Sequence, residues 1–333
     1  MIIKKSLKII LKILFATAIL VAVFFAAMFI FNKPAHPDLT IGASFDPDYA
    51  RYLGVDPAKN LEKILGDWNF RYLRFSAHWD GIEAVRGQYN WSSLDWQMEM
   101  ARAQGAKIII AIGHKTPRWP ECHLPVWAQS LPAADYAVAL NDYIKATVNR
   151  YKNNPALEIW QVENEPLLAY GLCMPLTSDQ LEAEIAMVKE LDPAHPTLTT
   201  DSGELSWWFQ TARAADLFGT TMYRVVWDRF IGYWRYSWLA PGYYTFRARI
   251  NGLTPANTFV VELQTEPWIP GAFSATPLTE QNKSMDETQL KANLAAAEHT
   301  GFSRVYLWGA EWWYWLEQQG QNEIPDFIRA LAK

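Results

Sequence analysis

Short apolar runs alternate with longer amphipathic segments along the chain after residue 37. The short runs have the length of β-strands, and the segments between them have helical periodicity. Residues 106–113, "AKIIIAIG", are almost wholly apolar, which is typical of a strand that is buried on both faces. The pattern predicts strands at residues 39–45, 70–76, 106–113, 156–163, 197–202, 217–223, 258–263 and 303–309.

Helices are predicted between these strands, at residues 57–66, 93–104, 133–151, 178–191, 206–215, 241–251, 286–300 and 323–331. Eight strand–helix units are typical of a closed (β/α)₈ barrel, which takes about 250 residues plus insertions. The competing interpretation is a doubly wound open sheet, but no glycine-rich phosphate loop follows the first strand. We therefore predict an α/β fold, a (β/α)₈ TIM barrel over residues 38–333.

A different pattern occupies the N-terminus. Lys4, Lys5, Lys8 and Lys12 precede an uncharged, mostly apolar run at residues 13–31. Its 19 residues are close to the roughly 20 that a helix needs to cross a bilayer. A cleaved signal peptide has a shorter apolar core and a small-residue cleavage site, so the bulky end of this run favours an uncleaved signal-anchor.

The N-terminal pattern predicts the domain organisation. Residues 1–12 form a cytoplasmic basic segment, residues 13–31 a single transmembrane helix, and residues 32–37 a short linker to the barrel domain at 38–333. Lysines before a membrane span stay in the cytoplasm, so the barrel is expected on the extracytoplasmic side. Cleavage after the apolar run would instead release a secreted protein.

Composition and charge limit the classes of binding partner that this chain can have. The net charge is −5, and no block of Lys or Arg follows residue 12, which argues against a nucleic-acid partner. The 17 Trp, 15 Tyr and 16 Phe fit both a large core and a cleft walled by flat rings. Trp227, Trp234 and Trp238 follow the sixth strand and have a further interpretation, contact with a lipid interface, which Trp favours.

Two carboxylates stand at predicted strand ends. Glu165 ends the fourth strand, in "IWQVENEP", and Glu262 ends the seventh, in "FVVELQTEPW". Their separation of 97 positions corresponds to about three units of roughly 31 residues. Active-site groups of a TIM barrel lie at the C-terminal ends of the strands, so both carboxylates are expected to converge on one pocket. Glycoside hydrolysis requires such a pair.

These segments resemble a known group of enzymes. "WQVENEP" resembles the fourth-strand motif of clan A of the retaining glycoside hydrolases, (β/α)₈ enzymes that include cellulases and β-glycosidases. Residues 73–95, "LRFSAHWDGIEAVRGQYNWSSLD", are similar to the second-strand segment of that clan. The resemblance covers most of residues 38–331. It implies double displacement on a β-linked carbohydrate, with Glu165 as general acid/base and Glu262 as nucleophile.

The resemblance also implies roles in binding. Asn164 is expected to hydrogen-bond the sugar 2-OH, and Trp308, at the end of the eighth strand, to form the floor of the sugar subsite. Arg74, with the hydroxyl of Tyr223, is expected to favour the ionised form of Glu262. Polar and aromatic residues after the second and third strands are further candidates for sugar binding: His78, His114 and Trp119.

Other interpretations of these residues stay open. Glu163 lies two positions before Glu165, so the two side chains would point to the same face of a strand. Glu163 is expected to act as a supporting hydrogen-bond acceptor or to pair with Arg74. Glu266 is a rival nucleophile, although it lies beyond the apolar part of its strand. A lone His is more often a structural hydrogen-bonding group than a ligand. Trp79, Trp268, Trp312 and Trp313 follow strand ends and are expected either to extend the cleft or to lie in the core.

No cofactor is expected, because the reaction needs two carboxylates and water. No His/Cys/Asp cluster has the spacing of metal ligands. Cys122 and Cys173 follow the third and fourth strands, whose loops are neighbours at the barrel mouth. Outside the cytoplasm they are expected either to form a disulfide that braces the rim or to remain two free thiols.

Two alternative functions use the same barrel. A transglycosylase would differ only in whether sugar or water resolves the covalent intermediate. A non-catalytic carbohydrate-binding surface protein would not need both carboxylates. The presence of Glu165, Glu262 and Asn164 argues against that second alternative.

Overall fold

A computed structural model of the chain describes residues 2–36 and 38–331. The described side chains begin at residue 8 and leave out residue 27. Several predictions therefore fall outside the described part: the side chains of Lys4 and Lys5, the first residue of the basic segment, the last residue of the linker, and the last two residues of the barrel domain.

In the described part of the chain, eight parallel strands close into a barrel, which confirms the predicted TIM-type fold. The strands in chain order are β1 Thr40–Ser44, β2 Tyr72–Ser76, β3 Lys107–Ile112, β4 Leu157–Val162, β5 Thr197–Asp201, β6 Leu217–Met222, β7 Val225–Asp228, β8 Gly232–Arg235, β9 Thr258–Gln264 and β10 Arg304–Trp308. The barrel order is β1-β10-β9-β6-β5-β4-β3-β2, and β7 and β8 form an antiparallel hairpin outside it. Each predicted strand is found, with its ends shifted by no more than two residues.

Helices surround the barrel. Those in the described residues are α1 Ile2–Ile30, α2 Pro47–Tyr52, α3 Pro57–Leu65, α4 Trp79–Ile82, α5 Ser92–Ala103, α6 Ala133–Tyr151, α7 Ser178–Leu191, α8 Gly242–Ile250, α9 Leu278–Gln281, α10 Glu287–Glu298, α11 Ala310–Gln318 and α12 Glu323–Leu331. Side-chain oxygens cap several of them, as Asp56 does when it accepts hydrogen bonds from the first amides of α3.

The helix predicted at residues 206–215 is wrong, and a short 3₁₀ turn, Thr211–Arg213, stands in its place. The hydroxyl groups of Ser206 and Thr211 both donate to the carboxylate of Asp201, at 2.8 and 2.7 Å. These residues are five positions apart, about 140° around a helix, so a regular helix would not aim both at one carboxylate. The hydrogen bonds to the end of β5 therefore replace the helix.

The barrel interior holds its own apolar core. Its buried members come from alternating strand positions: Ile109, Ile159, Leu198, Phe259, Val261 and Tyr306. On β3, Ile108 and Ile110 instead pack against the surrounding helices. Both faces of β3 are therefore buried, which explains its continuous apolar sequence.

A β-bulge interrupts β9 next to the barrel mouth. Thr220 of β6 pairs with Val260, whereas Thr221 pairs with Glu262, so Val261 is an extra residue. A bulge brings consecutive side chains onto the same side of a strand. Val261 packs in the interior core, and Glu262 also faces the inside of the barrel, at its mouth. Simple alternation along β9 would have turned Glu262 toward the helices.

The segment between α1 and β1 packs on the barrel. The backbone N–H of Lys33 donates to the carbonyl of His299 at 3.0 Å, and that of His36 donates to the carbonyl of Glu298 at 3.3 Å. Among the described residues, one helix is long and apolar enough to cross a membrane by length and composition, over Lys8–Ile30. The described part of the predicted linker, residues 32–36, is therefore hydrogen-bonded to the end of α10 and the residue after it.

We expect Ile109→Ala to destabilise the barrel by about 2–5 kcal/mol, because it leaves a cavity in a fully buried interior layer. Urea unfolding should show a lower midpoint with an unchanged slope. The control is Val138→Ala on α6, where the side chain is exposed and the change should stay within about 0.5 kcal/mol. Equal effects of the two substitutions would contradict the assignment of Ile109 to the core.

Candidate active site

Arg74 is the centre of a buried polar network at the barrel mouth. It projects inward from β2, and its side chain is 1% exposed. Its Nη1 donates to Glu262 Oε1 at 2.6 Å, and its Nη2 donates to Asn164 Oδ1 at 2.8 Å. Its Nε donates to Gln161 Oε1 at 2.7 Å. One guanidinium therefore holds groups from β4 and β9 in fixed relative positions.

Glu262 accepts a further hydrogen bond from the residue that follows the neighbouring strand, β6. The hydroxyl of Tyr223, directly after β6, donates to Glu262 Oε2 at 2.9 Å. Burial and the charge of Glu262 raise the pKa of Tyr223 well above its ordinary value, so the phenol stays protonated and remains a donor. Both oxygens of Glu262 thus accept hydrogen bonds, which fixes the orientation of the carboxylate.

Glu165 lies in a different environment. Its side chain lines the cavity at the mouth, and its Oε1 accepts from the hydroxyl of Thr221 at 3.3 Å. Its backbone N–H donates to the hydroxyl of Thr200 at 2.9 Å, and Lys115 donates to its carbonyl at 3.0 Å. Among the described residues, no salt bridge reaches its carboxylate. Glu165 is therefore held through its backbone and has little stabilisation of a negative charge.

The electrostatics of Glu165 follow from this environment. Burial, together with repulsion from Glu121 and Glu262, raises its pKa well above the ordinary value. The buried amine of Lys115 acts in the opposite direction but does not reverse the shift. The site therefore combines one carboxyl group whose pKa is raised with a neighbouring carboxylate that is paired with a guanidinium. This division of roles is that of an acid and a nucleophile.

Glu163 supports the end of β4 from behind. Its Oε1 accepts from the backbone N–H of His114 at 2.9 Å, and its Oε2 accepts from that of Lys115 at 2.7 Å. A Cβ on Gly113 would lie 2.2 Å from this carboxylate, so the close approach requires glycine. Glu163 is thus the supporting acceptor, and its alternative pairing with Arg74 is not observed, since Gln161 occupies that position.

The two catalytic candidates line one cavity of about 880 Å³. Glu165 comes from the end of β4 and Glu262 from β9, and aromatic and acidic side chains enclose the space between them. Volumes of this size accommodate small ligands in other proteins. Asn164, which is fully buried, does not occur among the described residues that line the cavity, and its Nδ2 lies 3.5 Å from Glu121 Oε2.

Glu121 is a site residue that the sequence reasoning missed. It lines the same cavity, and burial and the charge of Glu262 raise its pKa to about 7. Its backbone has a left-handed φ of 53°, which is rare for glutamate and frequent at functional sites. The available signal was its position in "RWPECH", beside Cys122 in the loop after the third strand.

Aromatic side chains divide between the cavity and the core. Trp119 is 65% exposed and lines the cavity, as do Trp268 and the largely buried Trp308. Flat rings in these positions can stack on the apolar faces of sugars. The other tryptophans considered for the cleft are fully buried core residues: Trp79, Trp312 and Trp313.

The two histidines have different positions. His78 lines the cavity, and its Nε2 lies 2.6 Å from Asp46 Oδ2. Burial opposes its charge, but the attraction of Asp46 outweighs burial and raises the pKa of His78. His114 does not occur among the described residues that line the cavity, and its Nδ1 lies 3.1 Å from Glu163 Oε1. The structure therefore places His114 behind the site, where it supports Glu163 rather than facing the cavity.

Arg118 is a further missed residue. Its guanidinium forms ion pairs with Glu266 and with Glu311, the latter at 2.6 Å. It also lies 3.9 Å from the centre of the Trp308 ring, so it covers one face of that ring. Glu266 lines the cavity but is engaged by Arg118, which weakens its case as the rival nucleophile.

Cys122 and Cys173 form a disulfide between the loops that follow β3 and β4. The bond lies next to Glu121 and tethers the loop that carries it. Within residues 2–36 and 38–331, no group of three or more His, Cys, Asp or Glu side chains is arranged to hold a metal ion.

Comparisons with known proteins find sequence similarity to glycoside hydrolases. A sequence model of glycosyl hydrolase family 10 matches residues 55–181, less than half of the chain. The matched segment contains Arg74, Glu121 and Glu165, but it ends before Glu262. A probable mannan endo-1,4-beta-mannosidase F from Emericella nidulans is 27% identical over 166 residues, which are 44% of this chain and 37% of that relative. The match therefore spans well under half of the relative's length.

Solved structures resemble the whole barrel. Xylanase 10B from Thermotoga maritima has a TM-score of 0.56 at 17% identity, covering 81% of this chain and 83% of that one. GH5_18 from Bifidobacterium longum has a TM-score of 0.59 at 13% identity, covering 81% and 69%. At such low identity these similarities show the fold alone.

We expect Glu262→Gln to lower the pKa of Glu165. Removing the negative charge of Glu262 makes ionisation of Glu165 easier, and the released Arg74 acts in the same direction. Carboxyl ¹³C NMR during a pH titration measures the shift. Glu266→Gln serves as the control, because Arg118 already neutralises Glu266, and it should leave the pKa of Glu165 nearly unchanged. Equal shifts in both variants would contradict the proposed coupling.

Proposed function

We propose that the chain is a retaining glycosidase that hydrolyses a β-linked carbohydrate. The observation that carries this proposal is the contrast between two carboxylates on one cavity. Arg74 and Tyr223 donate to Glu262, whereas burial and like charges raise the pKa of Glu165. The relatives with glycosidase names and the family 10 match support the same reaction.

The first step forms a covalent intermediate. An oxygen of Glu262 attacks the anomeric carbon while the glycosidic bond breaks, and protonated Glu165 transfers its proton to the departing oxygen. Arg74 and Tyr223 keep the nucleophile oriented before the attack. The raised pKa of Glu165 keeps the proton available at neutral pH.

The second step releases the sugar. Ionised Glu165 removes a proton from water, whose oxygen attacks the anomeric carbon as the bond to Glu262 breaks. Glu262 is again a carboxylate and Glu165 is again protonated, so the cycle closes. Asn164 would assist from the edge of the site, with its Nδ2 shared between Glu121 and the sugar 2-OH.

Further cavity residues would bind the sugar. Trp308 offers the ring face that Arg118 leaves open, and the exposed Trp119 would extend the binding surface. His78 presents a polar edge to the same space. These contacts are proposed for the sugar rings on either side of the bond that breaks.

The proposed location is the outer face of a membrane. α1 would span the bilayer through residues 13–31, with Lys8 and Lys12 on the cytoplasmic side and the barrel domain from residue 38 on the other side. The apolar composition of Lys8–Ile30, only 6% of which is buried against the rest of the chain, supports this arrangement. The disulfide between Cys122 and Cys173 is of the kind that persists in such compartments.

Substitution of each carboxylate should have its own kinetic signature on aryl glycosides. Glu262→Gln is expected to lower kcat by roughly 10⁴-fold or more for every leaving group, because no covalent intermediate forms. Glu165→Gln should lower kcat/KM by about 10²–10⁴-fold for leaving groups that need a proton, and far less for dinitrophenol, which needs none.

Circular dichroism melting curves provide the control for folding of both variants. The proposal would be wrong if neither substitution impaired a measurable activity, or if the wild-type chain bound sugars but hydrolysed no glycoside in a broad panel.

The anchor proposal predicts that the full chain stays in the membrane pellet after alkaline carbonate extraction. A helix with 19 apolar residues partitions too strongly for removal by high pH alone. N-terminal sequencing of the extracted protein measures whether residues 1–31 are retained. A soluble product that starts after the apolar run would instead indicate a cleaved signal peptide.

A further inference from the structure

α1 packs along the barrel wall in a defined direction. Its neighbour, α8, follows β6 and leads to β9, so α8 starts on the side of the catalytic mouth and ends on the opposite side. The ring of Phe31 contacts Phe246, with centroids 5.4 Å apart. The ring of Phe24 contacts Tyr243 instead, at 5.9 Å. From Phe31 back to Phe24, the contacts thus move toward the start of α8.

A further contact extends this direction beyond α8. Phe25 packs against Trp238, which precedes α8 in the connection from the mouth, at 6.4 Å. The two helices are therefore roughly parallel, and residues 8–23 of α1 project past the barrel on its mouth side. At the other end, Lys33 is bonded to His299, just before the strand that enters the barrel floor.

The packing between α1 and α8 is close. A Cβ on Gly242 would lie 1.9 Å from the carbonyl oxygen of Met28, so only glycine permits this approach. Met28 itself is 2% exposed, and Asn32 Oδ1 accepts from the N–H of Gly242 at 3.0 Å. These contacts fix the barrel relative to the helix, so the mouth and the N-terminal span lie on the same side.

Exposed apolar side chains are concentrated around that mouth. Phe230 and Ile231, at the tip of the β7–β8 hairpin, are 79% and 62% exposed. We define the apolar rim by exposed side chains in the connections after β3, β4 and β6: Trp119, Leu172, Met174, Phe230, Ile231 and Trp238. Such a concentration on one side of a protein marks an interaction surface.

The depth of α1 identifies the partner of the apolar rim. Residues 13–30 of α1 form about 27 Å of helix, close to the roughly 30 Å of a hydrocarbon core. The last ~10 Å, from Phe24 to Phe31, lie beside the barrel. If the whole run occupies the hydrocarbon, the mouth side of the barrel must reach the interface. Apolar side chains of interfacial proteins enter that zone by about 5–10 Å.

We propose that the catalytic mouth opens onto the bilayer that α1 spans and that its substrate is a saccharide carried on a lipid of that bilayer. The inference rests on the proposed function for the chemistry of bond cleavage. A mouth set against the interface admits a sugar headgroup from the membrane plane. The apolar rim would contact the neighbouring alkyl chains, while Glu165 and Glu262 act on the glycosidic bond.

The position of the catalytic mouth relative to the bilayer can be measured without an enzyme assay. The full chain with Phe230→Cys, labelled with the fluorophore NBD, is reconstituted in phosphatidylcholine vesicles. The two native cysteines are bonded to each other, so the introduced cysteine provides the single free thiol that the label can modify. Brominated phosphatidylcholine should reduce its fluorescence at least twofold.

The control is Ile250→Cys at the far end of α8, which is also exposed and should show no change. Equal quenching at both positions, or none at residue 230, would overturn the proposal.

The substrate class is tested by two forms of one sugar. The aryl glycoside panel identifies the sugar, and a dialkylglycerol glycoside of that sugar is then placed in phosphatidylcholine vesicles. The wild-type chain should hydrolyse both. Phe230→Asp combined with Ile231→Asp should reduce kcat/KM at least tenfold on the vesicle substrate and leave aryl glycoside hydrolysis unchanged. Ile250→Asp is the matched control and should affect neither.

The outcomes separate this inference from the proposed function. Hydrolysis of the aryl glycoside without hydrolysis of the vesicle substrate would overturn the inference and leave the glycosidase intact. Absence of hydrolysis on every aryl glycoside would overturn the glycosidase, and with it the lipid-linked substrate, whatever the quenching result.

Discussion

The contact between Arg74 and Glu262 is the constraint on which the rest of the site depends. Both side chains are almost fully buried, and an unpaired charge in that position would be strongly destabilising. The guanidinium also engages Gln161 and Asn164, so β2, β4 and β9 must stay in register for any of its bonds to form. A buried ion pair contributes little net stability, but it selects one arrangement of strands. In this barrel that arrangement brings the end of β4 to the same cavity as Glu262.

The sequence predicted the strands well because each barrel strand is buried on both faces and bounded by polar segments. It also indicated that Glu165, Glu262 and Tyr223 lie at or near the mouth ends of their strands, whereas Arg74 is the middle residue of β2. The bulge at Val261 could not be predicted, since it arises from pairing with β6 and leaves no mark in the apolar pattern. The helix expected at residues 206–215 failed because hydrogen bonds to Asp201 override local propensity.

Long-range charge effects were equally hidden from the sequence. Glu121 lies in a loop, far from both catalytic candidates in the chain, and only the fold brings it to their cavity. Arg118 is similar, because its partners Glu266 and Glu311 come from the opposite end of the sequence. His114 was expected at the cavity from its place after a strand. Its side chain instead turns back to Glu163, which needs a donor at the end of β4.

The bulge in β9 has a consequence for how this strand can change over time. Substitution at Val261 alters only the volume of an apolar layer. Loss of the residue would join Val260 directly to Glu262, so Thr220 and Thr221 would pair with consecutive residues and the carboxylate would still face the inside of the barrel. The hydrophobic pattern that specifies the barrel would survive such a deletion almost intact. A one-residue deletion at Val261 would therefore change the packing beneath the site, while the direction of the catalytic carboxylate would stay the same.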